Sequence, residues 1–389
     1  MLRLFIFSFA ISLVLGYLTL RFEHLHRRFS GDIASAGSHK VHKRSVSRIG
    51  GVSIFFGWAA ALAASVYAGH LQPATATIWL VCLLPAFAGG LTEDLTKRVR
   101  PALRLLACFV SAAIAYWFLG ASVSRIDVPW VDALLTFSAV AFLFTCFAVA
   151  GVAHAINIID GLNGLASGVC MIALLALGYV AFQVSDMEIV LMSGLGAGAL
   201  LGFRVWNYPS GRLFSGDGGA YFLGTYVAIL SALLVSRHPE VAAWFPLLLV
   251  LYPVWETLFS AYRRRVLRGR PATLADKLHM HTLFYKRVKH PLDGGRARST
   301  RNSDASVSIV LFSSGSAIPA VLWWEHPGYL LTAAAAYVVI YLMIYRRLVR
   351  FGARPRTSGR GRGYVAQRFA GLHRGVFSRR AVRGANKLP

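Results

Sequence analysis

The chain has 389 residues, of which 56% are hydrophobic and only 15% are charged, and its formal net charge is +25. A soluble domain carries about 25% charged residues, so this composition excludes an ordinary soluble protein. Apolar runs of about 17–25 residues recur along the chain, each long enough to cross a bilayer as a helix. The alternation typical of barrel strands is absent, so we predict an all-α polytopic membrane protein.

About eleven spanning helices are predicted. The first apolar run carries Arg3 but lacks a convincing small-residue cleavage site, so we interpret it as a retained span and not as a signal peptide. Residues 1–345 then form one transmembrane domain. The predicted spans lie at about 2–20, 49–69, 75–91, 102–120, 131–151, 165–184, 187–204, 219–236, 241–260, 306–324 and 328–345.

The positive charge follows this topology. All Lys and Arg residues except Arg3, Arg125 and Arg237 fall on one side of the predicted membrane. The positive-inside rule makes that side cytoplasmic, which places the N-terminus outside and the C-terminus inside. The predicted inner loops are about 21–48, 92–101, 152–164, 204–218 and 261–305.

The tail 346–389 is rich in Arg and has no acidic residue. Its composition predicts a disordered cytoplasmic segment that contacts the anionic lipids of the inner leaflet. Nucleic-acid binding by its RGRG stretch is a less favoured alternative, because the excess of cations already follows the membrane topology.

Five polar segments gather at the predicted inner surface. Alone, each is consistent with a capped helix, a solvated helix end, a topology signal or surface histidines. None of the sixteen acids lies clearly at mid-membrane, where ion-coupled transporters place ionisable groups. The segments are HKRSVSRIGG (42–51), GGLTEDLTKRVRP (89–101), NIIDGLNGLASG (157–168), FSGDGGAYFLG (214–224) and ADKLHMHTLFYKR (275–287).

The mixture of acids, cations and glycines on one membrane face indicates chemistry on phosphates. Mg²⁺ binds through one or two carboxylates together with substrate phosphates. Glycines and helix N-termini let backbone N–H groups approach phosphate oxygens, and Lys or Arg neutralises their charge. The sequence therefore predicts Mg²⁺-assisted phosphate chemistry at the inner surface, with Mn²⁺ as a possible substitute and a bilayer lipid as the second substrate.

Together the five segments resemble the polyprenyl-phosphate N-acetylhexosamine-1-phosphate transferases over residues 40–290. NIIDGLNGLASG and SGDGGAYFLG carry the most specific part of this resemblance. It implies transfer of a sugar-1-phosphate from a UDP-N-acetylhexosamine to undecaprenyl phosphate, with release of UMP. O-antigen or another cell-envelope glycan would start from this product, in the bacterial inner membrane. The resemblance also implies a possible homodimer.

The resemblance implies roles for individual residues. A metal ligand is expected at Asp217, and Glu93 and Asp94 are expected near the lipid phosphate, where they help to deprotonate it. The remaining residues are expected around the nucleotide sugar. Asn157, Asp160, Gly161 and Asn163 line its pocket, His279 and His281 lie near its diphosphate, and Lys43 and Arg48 form a basic segment.

Four positions depart from the family pattern. The acid pair is Glu93–Asp94 where relatives have two Asp, and Asn163 stands for the second Asp of the DGxDG motif. Thr282 stands where relatives often have a further His, and Ser47 where they have Pro. These departures indicate a diverged sugar-1-phosphate transferase. Two alternatives stay open: a transporter or flippase of lipid-linked sugars, and an inactive member of the same fold that anchors partners.

Overall fold

The computed structural model describes residues 1–30, 46–267, 269, 278–286 and 298–351. Lys43 and residues 352–389 lie outside this part of the chain, as does much of the predicted inner loop 261–305. The helices are α1 Leu2–Arg21, α2 Glu23–Ser30, α3 Gly50–Tyr67, α4 Pro73–Thr96, α5 Pro101–Leu119, α6 Pro129–Leu135, α7 Ser138–Ile159, α8 Leu165–Gln183, α9 Met187–Asn207, α10 Gly216–Arg237, α11 Trp244–Leu249, α12 Leu251–Tyr262, α13 Met280–Phe284, α14 Arg298–Leu322 and α15 Pro327–Phe351. A short π-helix, Arg263–Leu267, follows α12.

Proline and glycine mark several helix boundaries. Pro73, Pro101 and Pro129 occupy the first turns of α4, α5 and α6, where the missing N–H has no intrahelical acceptor to lose. Gly120 ends α5 with φ of +75°, a left-handed conformation that L side chains rarely adopt. The apolar runs between such boundaries supply the helical length.

In the described part of the chain, ten helices are long and apolar enough to cross a membrane, which confirms the predicted all-α polytopic class. The prediction of about eleven unbroken spans is wrong at two places. The predicted span 241–260 forms two short helices, α11 and α12, which meet at Val250. The span predicted at 131–151 also differs, because α6 is separate and α7 extends to Ile159.

The broken segment nevertheless runs from one end of the helical bundle to the other. At its start, the Val241 carbonyl accepts a hydrogen bond from Arg125, and Ala242 N donates to the carbonyl of Trp324 in the turn between α14 and α15. At its other end, Glu256 contacts His279. Within the described residues, the broken segment α11–α12 thus accompanies the ten long helices through the bundle. Which end faces the cytoplasm stays a prediction from the charge distribution.

Helix α10 is the centre of the bundle. Of its apolar window, 94% is buried, compared with 22% for α1 and for α5. Two glycines allow neighbouring helices to reach its first turn. A Cβ on Gly51 of α3 would lie 2.3 Å from Gly219 N, and a Cβ on Gly90 of α4 would lie 2.5 Å from the Asp217 carbonyl oxygen. The beginning of α10 is thus the point where α3 and α4 meet.

Candidate active site

Asp94, at the end of α4, caps the start of α10. Its Oδ1 accepts a hydrogen bond from Asp217 N at 2.9 Å, and its Oδ2 accepts one from Gly218 N at 2.8 Å. The first N–H groups of a helix have no intrahelical acceptor, and their partial positive charge favours a carboxylate. Asp94 is therefore buried with both oxygens engaged, and it fixes the position of Asp217.

Asp217 lies in the first turn of α10, between α5 and α7. Its Oδ1 accepts a hydrogen bond from Asn157 Nδ2 at 3.1 Å. Its Oδ2 forms an ion pair with Arg104 of α5, and the Arg104 guanidinium also lies 5.8 Å from the ring centroid of Tyr221, one turn further along α10. Asp217 and Asn157, which the sequence predicts from two different motifs, are thus direct neighbours.

Arg104 is the site residue that sequence reasoning missed. It belongs to none of the five polar segments, since it follows Pro101 inside an apolar run. A lone Arg within a predicted span was the available signal, because charged residues there are costly and usually pair with a functional group.

Asp160 lies directly after α7 and contacts the segment that leads into α10. Ser215 Oγ donates a hydrogen bond to its carboxylate. Burial raises the pKa of Asp160 to about 6, although the Ser215 hydrogen bond and the positive charge of Arg48 both act to lower it. Arg48 therefore lies near enough to Asp160 to influence its ionisation.

Arg48 is placed by a short pairing of two backbone segments. Ser47 forms an isolated parallel bridge with Leu213, and Phe214 N donates to the Ser47 carbonyl at 3.0 Å. Gly216 follows with φ of +67°, and a Cβ there would lie only 1.8 Å from the Arg48 carbonyl oxygen. Ser47 thus provides the carbonyl to which the second segment bonds.

Glu93 and Asp94 are adjacent in sequence but have different environments. Glu93 is half-buried, and its Oε2 accepts a hydrogen bond from Val99 N at 2.7 Å, which closes the turn after α4. Lys97 in this turn has φ of +57° and donates from Nζ to the Asp94 carbonyl. Successive helix positions differ by about 100°, so only one acid of the pair reaches the α10 terminus. That acid is Asp94.

The two predicted histidines lie together. The rings of His279 and His281 are stacked, with centroids 5.4 Å apart and planes inclined by 6°. His279 Nδ1 lies 2.9 Å from Glu256 Oε1, and His281 Nδ1 lies 3.4 Å from the Tyr252 hydroxyl. A Cβ built on Gly161 would be 3.5 Å from His281 Nε2, so the histidines lie beside the turn that carries Asp160.

Asn163 belongs to a different set of contacts from Asn157 and Asp160. It is buried, and its Nδ2 donates to the Pro209 carbonyl at 3.2 Å. Its backbone N–H donates to Asn302 Oδ1 of α14 at 2.8 Å. These contacts hold the turn 160–164 against the ends of α9 and α14, so the structure gives Asn163 a scaffolding position. A direct contact with substrate stays a prediction.

The described carboxylates could supply a metal ion with few protein ligands. Across the described ranges, no group of three or more His, Cys, Asp or Glu residues forms a metal centre. The Asp94 carboxylate accepts hydrogen bonds from two backbone N–H groups, and that of Asp160 accepts one from Ser215. The Asp217 carboxylate contacts only the side chains of Asn157 and Arg104 among the contacts described above. One carboxylate together with phosphate oxygens and water is a set that Mg²⁺ accepts.

The fold and the site define a polytopic helical membrane protein with a carboxylate–cation cluster at one end of its spanning helices. Residues 76–235 match Glycosyl transferase family 4, a range that includes Asp94, Asp160 and Asp217. This match and the relatives below support the resemblance to the polyprenyl-phosphate N-acetylhexosamine-1-phosphate transferases that the motifs carry.

Three relatives illustrate this similarity. The "Probable undecaprenyl-phosphate N-acetylglucosaminyl 1-phosphate transferase" of Bacillus subtilis is 29% identical over 259 residues, which cover 64% of this chain and 69% of that protein. The "Undecaprenyl-phosphate alpha-N-acetylglucosaminyl 1-phosphate transferase" of Thermotoga maritima is 27% identical over 286 residues, 73% and 80% of the two chains. A "Phospho-N-acetylmuramoyl-pentapeptide-transferase" of Streptococcus uberis is 27% identical over 253 residues, 61% and 71% of the two chains.

Proposed function

We propose that the chain transfers an N-acetylhexosamine-1-phosphate from a UDP-sugar to undecaprenyl phosphate. An oxygen of the lipid phosphate attacks the β-phosphorus of the UDP-sugar, the bond from this phosphorus to the oxygen of the α-phosphate breaks, and UMP leaves. The product carries the sugar on a lipid-linked diphosphate, from which a cell-envelope glycan such as O-antigen is built. The reaction is placed at the cytoplasmic face of the bacterial inner membrane, where nucleotide sugars occur.

One observation carries this proposal. Asp94, Asp217, Asn157 and Arg104 come from four different helices and meet in one hydrogen-bonded cluster at one end of the bundle. Phosphoryl transfer requires mainly positioning and charge stabilisation, and this cluster supplies both near the expected depth of a lipid headgroup. The relatives named above act on undecaprenyl phosphate or carry out phospho-sugar transfer according to their names.

The residues of the cluster have separate tasks in this proposal. Asp217 is the group that would hold Mg²⁺, which when bound offsets the negative charge of the donor's phosphates. Arg104 and Arg48 supply positive charge from the two sides of the cluster. Asn157 and Asp160 present hydrogen-bonding groups to the nucleotide sugar, and Gly161 leaves room beside His281.

The acid pair takes two roles. Asp94 is assigned to positioning, because acting as a base would require it to give up a backbone hydrogen bond at the start of α10. Glu93 has one carboxylate oxygen on Val99 N and is half-exposed, so we keep it as the acid nearest the lipid phosphate. Its longer side chain compensates for the Asp that relatives have here. A homodimer and lipid binding by the basic tail remain predictions from the sequence.

Release of UMP tests the proposal. The purified protein in detergent is incubated with undecaprenyl phosphate, Mg²⁺ and a panel of UDP-N-acetylhexosamines, with and without EDTA. A transferase releases UMP with at least one sugar, only when lipid and metal are both present. Asp217→Asn is expected to abolish this release while the protein stays folded. A flippase or an inactive scaffold releases no UMP, so absence of release from folded protein would reject the proposal.

A further inference from the structure

The segment that carries the two histidines is held from one side by α12 and its π-helical continuation and from another by α15. Arg263 Nη1 donates to the Leu278 carbonyl at 2.9 Å and also contacts the Tyr345 hydroxyl. The Tyr345 hydroxyl itself donates to the Leu278 carbonyl at 3.2 Å. The carbonyl immediately before His279 thus accepts hydrogen bonds from two side chains, one on either side.

Glu256 of α12 makes the central contact of this arrangement. Its side chain is fully buried, and its Oε1 lies 2.9 Å from His279 Nδ1. Met280 N donates to both oxygens, at 3.2 and 3.1 Å, and the Tyr341 hydroxyl donates to Oε2 at 2.9 Å. One carboxylate therefore binds the histidine ring, the next backbone N–H and the last spanning helix.

A buried carboxylate in this place is costly if its only task is packing. Removing a carboxylate from water carries a large desolvation penalty, and well-packed apolar side chains often stabilise such a position equally well. Two of its donors, Met280 N and the Tyr341 hydroxyl, would be satisfied by a neutral acceptor. The contact that benefits from the negative charge is the one with the imidazole of His279, because a hydrogen bond to an ionised acceptor is stronger than one to a neutral acceptor.

The contact also indicates which ring nitrogen of His279 carries a proton. An ionised carboxylate only accepts hydrogen bonds, so Nδ1 of His279 must carry the proton that points to Glu256. Nε2 is then the ring nitrogen left for a ligand. His281 stacks parallel to this ring and approaches Gly161 with its own Nε2, so both imidazoles stand beside the turn 160–164.

We propose that Glu256 is a positioning residue of the transfer reaction, which accepts a hydrogen bond from Nδ1 of His279 and so holds the ring with Nε2 directed to the nucleotide sugar. This role rests on the proposed function. In the sequence, Glu256 stands within PVWETLFSAYRRR, at a position where the family resemblance implies that relatives often carry Asp. In metal sites, carboxylates that orient a ligating histidine typically contribute 10–100-fold to activity, and we expect an effect of about that size here.

A double-mutant cycle separates positioning from general structural support. Glu256→Gln, His279→Asn and the combined variant are compared by UMP release, and thermal stability in detergent is followed in parallel. If Glu256 acts through His279, the Glu256→Gln variant has a kcat lower by about 10–100-fold and a KM for the UDP-sugar that changes little. The combined variant is then no slower than His279→Asn alone.

Two results would overturn this role. One is a wild-type kcat in folded Glu256→Gln, and the other is a combined loss equal to the product of the two single losses. Where Glu256→Gln does not fold, Tyr341→Phe provides the same cycle, since it removes one donor from the carboxylate without touching the histidine. Its smaller loss of kcat should disappear in the His279→Asn background. If the wild-type protein itself releases no UMP, the proposed function fails first, so the two failures are distinguishable.

Discussion

The backbone N–H of Asp217 donates a hydrogen bond to the carboxylate of Asp94 over 2.9 Å, so an acid that ends one spanning helix caps the start of another. The capped terminus is that of the most buried helix of the bundle. Structural support and the candidate chemistry therefore meet in one pair of residues. The effect of a substitution in this region on stability and on activity should therefore depend on which contact the substitution removes.

Asp94→Asn should reduce both stability and UMP release. The amide has one acceptor oxygen and one NH₂ group, so one of the two backbone donors at the start of α10 loses its partner. An unsatisfied buried donor costs about 1–3 kcal/mol. Thr92→Ala on the same helix is the control, because Thr92 is exposed and bonds only the Ala88 carbonyl of its own helix. Loss of turnover with unchanged thermal stability would indicate instead that Asp94 acts in proton transfer.

Gly90→Ala should destabilise the protein by about 1–3 kcal/mol, the usual cost of overpacking. The added Cβ would meet the main chain of Asp217 and Gly218 at 2.5–2.6 Å, and main-chain atoms have no other rotamer to adopt. Gly151→Ala on α7 is the matched control, since nothing lies within 4 Å of its Cβ and Ala favours helix. Equal melting temperatures of the two variants in detergent would refute the close contact between α4 and α10.

The ion pair between Arg104 and Asp217 should show strong coupling. Removing one partner of a fully buried pair costs about 3–5 kcal/mol, and a smaller loss is expected here because both side chains are slightly exposed. Arg104→Gln and Asp217→Asn are each expected to lower the melting temperature, and the combined variant should recover part of the loss. Simple additivity of the two single effects would contradict the pairing.

Mg²⁺ should stabilise the protein without any substrate. A ligand that binds only the folded state raises the melting temperature in a concentration-dependent manner. We expect this shift for the wild-type protein and expect it to vanish in Asp217→Asn, whereas Asn163→Ala, which lies in the separate scaffold around Pro209, should keep it. A metal-dependent shift that survives in Asp217→Asn would place the ion elsewhere.

The stability of the protein should depend on pH through Asp160. Burial raises the pKa of this carboxyl from 3.8 to about 6, so folding favours its protonated form. That contribution is fully present below about pH 4 and is lost as pH rises through about 6. Asp160→Asn stays neutral and keeps an oxygen for Ser215. In EDTA, its melting temperature should match the wild type at pH 4 and exceed it at pH 8; a constant difference would exclude this origin.

The sequence predicts the long helices well because an apolar run of bilayer length can form little else in lipid. It predicts α11 and α12 poorly, because hydropathy does not record where a helix breaks. Val250 ends α11 with a backbone that departs from the helix, although the residues around it are apolar. Likewise, the end of α7 at Ile159 depends on the packing of the turn 160–164 and not on composition.

Site residues that belong to a local sequence motif are predicted from the sequence. Contacts that form only by tertiary packing are not. Asn157, Asp160 and Asp217 come from Gly-rich polar segments that interrupt apolar runs, and such interruptions are visible in a sequence. Arg104 is a single polar residue within apolar surroundings, so only the structure shows its partner. The contact of Glu256 with His279 likewise appears only in the structure. Lys43 lies outside the described residues, and its predicted role remains a prediction.

Transfer of a labelled phosphate tests the central claim most directly. UDP-N-acetylglucosamine carrying ³²P in its β-phosphate is incubated with the full-length protein, undecaprenyl phosphate and Mg²⁺, and the organic extract is counted beside that of Asp217→Asn. The proposed reaction moves the label into the lipid fraction in step with UMP release, and the variant leaves it in the aqueous phase. Two results would show that the protein is not a sugar-1-phosphate transferase. One is that no UDP-sugar of the panel brings label into the lipid fraction. The other is that UMP is released while the label stays in the aqueous phase.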